Sequence, residues 1–259
     1  MYSGIFDSHA HYDDERFDPD REEVIASLTE NGVCNVIDIG CDLETSQKAS
    51  ALAQRYPFFY AAVGYHPHEA SSFNEEDFSE IKAMLRHPKV VALGEIGLDY
   101  HYDLSPREKQ IEVFDFQLKV AEELDVPIII HTREATQDTL NLLQKHNCRG
   151  VVHCYSGSAE TAKILVRLGY YIGFTGVITF PNARKIVEAC DIVPPDRILL
   201  ETDCPYMAPV PFRGKRCWSP MIEKTAERVA QIKGMEPQTL IDTAQENTMR
   251  LFGIQSAQF

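Results

Sequence analysis

The feature that most constrains what this chain can fold into is a rhythm. Eight short runs rich in β-branched and apolar residues recur along it, each bounded by turn residues: GIFDSH, VCNVIDIG, FFYAAVGYH, VVALGEIGL, VPIIIH, GVVHCYS, YYIGFTG and RILLETD. Such runs read as strands. Most are separated by segments with helical spacing. In PREKQIEVFDFQLKVAEELD, for example, Ile111, Phe114, Leu118 and Ala121 fall on one face, and Pro106 suits a first helical turn. Continuously apolar strands alternating with helices form a parallel sheet covered by those helices. Eight such units in 259 residues predict a single-domain α/β protein, a (β/α)8 TIM barrel spanning residues 1–259. An open doubly wound sheet is the alternative, and it is disfavoured because no GxGxxG turn follows the first strand. The last segment, SPMIEKTAERVAQIKGMEPQTLIDTAQENTMRLFGI, reads as closing helices.

A barrel of this type builds its active site at the C-terminal ends of its strands. The polar residues of this chain gather there. His9 and His11 end the first strand, His66 and His68 follow the third, and Glu95 ends the fourth. His131 ends the fifth, His153 the sixth and Asp203 the eighth. In an extended chain residues i and i+2 point to the same side, so the sequence HAH presents both imidazoles together. Such a pair can grip one metal ion. His9, His11, His131 and His153, with the carboxylates of Glu95 and Asp203, supply enough ligands for two divalent cations if Glu95 bridges them. A lone strand-end histidine is more often a hydrogen-bonded structural residue, and it is the joint placement that favours ligation. His87, His101 and His146 lack that placement and read as surface or structural residues.

FDSHAH, GYHPHE, ALGEIGLDY, PIIIHTRE, VVHCYSG and LLETDCPYMAP with FRGK closely resemble, in order and spacing, the TatD family of metal-dependent hydrolases within the amidohydrolase superfamily. The resemblance covers essentially the whole chain. It implies a TIM barrel whose metal centre is formed by His9, His11, Glu95, His131, His153 and Asp203. It also implies magnesium-dependent hydrolysis of DNA phosphodiester bonds, often as a 3′ to 5′ exonuclease, while some relatives are linked to removal of D-amino acids from tRNA. After RGK the family commonly continues with an Asn-rich turn leading to a proline, where this chain reads RCWSP, with Cys217 and its only tryptophan, Trp218.

These readings give a mechanism to test. Two divalent cations, magnesium, manganese or zinc, lower the pKa of a bridging water, and Asp203 orients it and accepts its proton. Histidine-rich ligation suits zinc or manganese better than magnesium. Arg133, two residues beyond His131, and Arg213, in the basic loop FRGKR, are the expected phosphate clamps. His66 and His68 are expected to contact a further metal or the leaving phosphate, or else to stabilise a turn around Pro67. The net charge of −14 argues against a broad grip on duplex nucleic acid and favours DNA ends or short oligonucleotides as substrate. Two other readings compete: a metal-dependent deacylase or amidohydrolase acting on a carbonyl centre, and a non-catalytic binding barrel.

The seven cysteines are odd in number and form no CxxC, which favours reduced thiols. Cys154 and Cys204 each follow a proposed ligand, so in an extended strand they point away from it and read as core residues. No apolar run approaches the roughly 20 residues that cross a bilayer. The N-terminal MYSGIFDSHAH lacks the pattern of a signal peptide, and the cytoplasm is the expected compartment. A monomer is the expected state.

Overall fold

In the computed structural model, which describes residues 2–255, the eight apolar runs lie side by side in the order in which they occur. The strands and helices alternate: β1 (Ile5–Ala10), α1 (Arg21–Ser27), β2 (Val33–Ile39), α2 (Leu43–Arg55), β3 (Phe59–Val63), α3 (Glu75–Met84) and β4 (Val90–Asp99) make the first half. The second half runs through α4 (Arg107–Leu124), β5 (Ile128–Arg133), α5 (Thr136–Lys145), β6 (Gly150–Val152), α6 (Ala159–Arg167), β7 (Tyr171–Phe174), α7 (Arg184–Ile192) and β8 (Ile198–Leu200). Two helices, α8 (Ile222–Lys233) and α9 (Pro237–Phe252), close the chain as expected. Every neighbouring pair from β1–β2 to β7–β8 is parallel, which is what a helical crossover after each strand enforces. An open doubly wound sheet, whose strand order reverses, is excluded by this sequential order.

The ring closes at a seam between β8 and β1, and it closes beyond the end of β8. A single parallel bridge joins Ala10 to Cys204. Asp203 N–H donates to the His9 carbonyl at 2.9 Å, and His11 N–H donates to the Cys204 carbonyl at 2.8 Å. Below this, buried Asp7 accepts from Thr202 N–H (3.0 Å) and Thr202 Oγ1 (2.6 Å), and Ser8 Oγ donates to the Leu200 carbonyl. Burial pushes the Asp7 carboxyl up to about 7, against the pull of its Thr202 hydrogen bonds.

Two apolar clusters result from the alternation of faces. Ile5, Val36, Leu93, Ile128, Val152, Ile172 and Ile198 face outward and pack against helical residues such as Phe114, Leu118, Leu165 and Val229. A second cluster takes residues from every strand, namely Phe6, Ile37, Ala62, Ala92, Ile129, Val151, Tyr171 and Leu199, and is therefore the barrel interior. Leu251 and Phe252 at the end of α9, with Ile254, pack into that interior. The chain's own last helix thus plugs the barrel end opposite the strand C-termini.

Pro106 precedes α4 as its N-cap, one position earlier than expected, and the face of α4 that buries Phe114, Leu118 and Ala121 is the expected one. Lys145 and His146, at the end of α5, reach back to Asp115 on α4 at 2.7 and 3.0 Å, and Lys119 joins them. Burial raises the Asp115 carboxyl, but the hydrogen bonds from Lys119, Lys145 and His146 outweigh it and hold the group below its ordinary range.

Two outcomes follow for stability. Phe252→Ala empties the plug and should cost about 3 kcal/mol in urea denaturation; an unchanged midpoint would show that α9 does not close the barrel. Because the folded Asp115 has a depressed pKa, its contribution is present above the unfolded value of about 3.9 and is lost as the pH falls below it. Asp115→Asn should therefore lower Tm at neutral pH, and its deficit against the wild type should shrink as the pH falls through about 4.

Candidate metal centre at the barrel mouth

Strand geometry brings the predicted ligands together. His9 lies in β1 and His11 one residue past it, and their Nε2 atoms stand 3.3 Å apart. The i, i+2 reading of HAH is thus realised. His11 Nδ1 donates to the Ile39 carbonyl at 3.0 Å, which leaves Nε2 facing the site. His131 lies within β5, His153 directly after β6, and Asp203 three residues after β8, held by the seam. Glu95 departs from expectation, for it sits inside β4 and not at its end. The β4–β5 register shifts between Leu93 and Ile96, and this slip turns Glu95 into the barrel beside the histidines.

Glu95 is the hub. Its Oε2 lies 3.5 Å from His9 Nε2, while its Oε1 lies 2.8 Å from His131 Nδ1, 2.6 Å from His153 Nε2 and 3.7 Å from His66 Nε2. Asp203 Oδ1 stands 3.5 Å from His11 Nε2 and 3.7 Å from His9 Nε2. Donor atoms of His9, His11 and Asp203 fall within 4.8 Å of one another, as do those of His9, Glu95 and His153, and of His66, Glu95 and His131. These residues, His9 apart, line a cavity of about 870 Å³ with Asp13, Asp99, Tyr102, Arg133, Cys41 and Cys154 in its wall.

The electrostatics test whether cations fit. Burial pushes the Glu95 carboxyl up, but His153, His66, His9 and the hydrogen bond from His131 hold it well below its ordinary value. Burial likewise raises Asp203, and His11 and its neighbours bring it down. His11 is lowered by burial yet raised to about 10 by Asp203, and His153 is driven well up by Glu95 and Glu201. Burial and His153 lower His9, and burial lowers His66 further. Among the described residues no Lys or Arg nitrogen comes within 4.0 Å of either Glu95 or Asp203. Glu95, buried, and Asp203, partly buried, therefore lack any fixed positive partner and are ringed by nitrogen donors. That donor set fits divalent cations.

Two carboxylates that sequence reasoning missed stand behind the histidines. Asp99, buried at the end of β4, accepts from His131 Nε2 at 3.1 Å and from His68 Nε2 at 3.0 Å. His131 is thereby fixed with Nδ1 towards Glu95. Glu201, also buried, accepts from Cys154 N–H and faces His153 Nδ1 at 3.6 Å. Spacing could have found both, since Glu201 precedes Asp203 by two residues and Asp99 follows Glu95 by four.

The remaining predicted residues are placed as follows. His66 joins the donor cluster, and His68 lines the cavity on Asp99. Arg133 ends β5 and lies over the ring of exposed Tyr102 at 4.7 Å. Arg213 is exposed outside the cavity wall, over Phe180 at 4.2 Å, and only the Phe180 ring reaches the cavity. Arg216 of the same basic loop is taken by Asp20 through two contacts of 2.7 Å. Cys217 is buried and Trp218 partly so, away from the cavity. Cys204 is a core residue as expected, but Cys154 is not: β6 ends at Val152, Cys154 takes φ of 42° and lines the cavity, and its thiol lies 3.4 Å from Thr175 Oγ1. All seven cysteines are free thiols, His146 is the structural residue tied to Asp115, and His101 pairs with Glu134.

The chain is similar to known proteins over nearly its whole length. Residues 6–253 match the family model described as TatD related DNase. A Bacillus subtilis protein named as the uncharacterized metal-dependent hydrolase YabD is 42% identical over 253 residues, covering 96% of this chain and 99% of that one. A Cronobacter sakazakii protein named 3′-5′ ssDNA/RNA exonuclease TatD is 36% identical, covering 96% and 97%. The crystal structure of YjjV, a TatD homologue from Escherichia coli, superposes with a TM-score of 0.92 at 32% identity, covering 98% and 100%. The chain belongs to the TatD family of metal-dependent hydrolases.

Proposed function

We propose that this hydrolase cleaves phosphodiester bonds of DNA, removing nucleotides from the 3′ ends of single strands with two divalent cations. The observation that carries the reading is Glu95, whose Oε2 faces His9 Nε2 while its Oε1 faces His131, His153 and His66. His9, His11, Asp203 and one Glu95 oxygen would hold one cation, and His131, His153 and the other Glu95 oxygen the second. When bound, the cations polarise a water and neutralise charge on the phosphate oxygens. Magnesium, manganese and zinc are the ions to test, with the nitrogen-rich set favouring the latter two.

The chain's own residues supply the rest. Asp203 orients the attacking water and accepts its proton. Arg133, with no carboxylate partner among the described residues, binds non-bridging oxygens at the rim, and exposed Tyr102 beneath it offers a face to a base. His68, braced by Asp99, and His66 stand where a phosphate group enters, and Arg213 extends the cationic rim. The exonuclease name of the Cronobacter relative supports the substrate class and polarity. We propose that all 259 residues act as one barrel, as a monomer in the cytoplasm, a setting that suits seven free thiols.

The test is hydrolysis of end-labelled single-stranded DNA by metal-stripped protein given magnesium, manganese or zinc. Shortening from the 3′ end should appear only with metal, and Asp203→Ala should reduce its rate about 100-fold or more. If no metal restores cleavage, the substrate assignment fails and hydrolysis of an aminoacyl ester becomes the reaction to assay. A second outcome concerns Gly173, where an added Cβ would meet Glu201 Oε2 at 2.4 Å. Gly173→Ala should displace Glu201 from behind His153 and weaken metal retention about 10-fold to 100-fold, read as metal content after dialysis against chelator. Full retention would show that Glu201 does not support that ligand.

A further inference from the structure

The loop between β2 and α2 brings a thiol to the metal centre. Cys41 lines the cavity, and its Sγ and donor atoms of His11 and Glu95 all lie within 4.8 Å of one another. Neither the mechanism above nor the three histidine-carboxylate groups uses it. We propose that Cys41 is a thiolate ligand at the cation site of His9, His11, Glu95 and Asp203, and that it biases this site towards soft or borderline ions such as zinc and cobalt over magnesium and manganese. This rests on the reading of that cluster as a metal centre.

Three observations carry it. The loop is clamped where the thiol emerges: Cys41 N–H and Asp42 N–H both donate to Thr45 Oγ1, at 2.8 and 3.0 Å, within the capping box that starts α2. The Cys41 carbonyl accepts from His66 N–H at 2.8 Å, and the preceding Gly40 carbonyl accepts from Glu95 N–H at 3.1 Å. The Gly40–Cys41 segment is therefore tied by backbone to two members of the cluster, Cys41 to His66 and Gly40 to Glu95, and Gly40 packs so closely that a Cβ there would meet Ser46 Oγ at 2.4 Å. Thirdly, the thiols differ in what they touch. Cys154, the other thiol in the cavity wall, is engaged by Thr175 Oγ1 at 3.4 Å, whereas the Cys41 thiol has no hydrogen-bond partner among the described residues.

The chemistry is a simple exchange. The Cys41 S–H bond breaks, its proton passes to solvent, and the sulfur electron pair forms the bond to the cation, with no change of oxidation state. Thiolate is a soft donor, so it strengthens binding of zinc and cobalt more than that of oxygen-seeking magnesium.

Cobalt(II) reports the bond directly. Added to metal-stripped protein, it should give visible d–d absorption together with a near-ultraviolet sulfur-to-cobalt charge-transfer band. Cys41→Ser and Cys41→Ala should lose the second and keep the first, while Cys154→Ser keeps both. In competition, zinc affinity relative to manganese should fall at least about tenfold in Cys41→Ser, since even loss of an outer-shell partner costs that much. Visible absorption without charge transfer in the wild type overturns the proposal while leaving the metal centre intact. A charge-transfer band that survives Cys41→Ser and vanishes in Cys154→Ser also overturns it. Absence of any cobalt absorption removes the metal centre and the proposal together.

Discussion

A carboxylate sealed inside a barrel is the constraint on which the rest of this structure depends. Glu95 is 3% exposed, and taking its charge out of water is tolerable only if positive charge surrounds it. The chain answers with imidazoles from four different loops and strands, His9, His66, His131 and His153, and with no Lys or Arg among its close partners. Imidazoles can give up their protons to a cation in a way that guanidinium cannot. The same choice that leaves Glu95 dependent on movable positive charge gives the site a donor set that fits a cation.

The architecture turns a local requirement into a global one. The floor of the site is the apolar interior to which every strand contributes, and α9 closes that interior from the far end. The donor residues gather above that floor, and three of the histidines face a partner: the Ile39 carbonyl for His11, Asp99 for His131 and Glu201 for His153. The acidic character of the chain extends into this layer behind the ligands. Attraction for cations is in this sense distributed, while the cationic groups able to meet phosphate are few and lie at the edge.

Much of this was legible from residue order. The eight apolar runs correspond to the eight strands, and the two-residue period of HAH foretold a pair of imidazoles on one side. What was not legible came from departures from regularity. Glu95 reads as a strand end because nothing in VVALGEIGLDY announces a register slip in mid-strand, and the strand in fact continues to Asp99. Cys154 escapes the alternation rule because β6 stops after three residues and the chain turns through a left-handed conformation. Asp99 and Glu201 stand in the same runs as Glu95 and Asp203, four and two residues away, and were passed over because each faces the site through a histidine. The basic loop FRGKR misled in a different way: part of its charge is consumed by Asp20, a partner almost two hundred residues away.

The seam between the first and last strands has a further meaning for how the protein comes into being. His9 and Asp203, roughly 190 residues apart in sequence, are joined by the same backbone bridge that closes the ring. Contacts between such distant segments carry the greatest loop-closure entropy and belong to the late stages of assembly. A nascent chain can hold most of its donors and still have no complete cage, because the final carboxylate arrives only with the eighth strand. Assembly of the donor cluster is in this way tied to closure of the ring: its last carboxylate falls into place only when the seam between β8 and β1 forms.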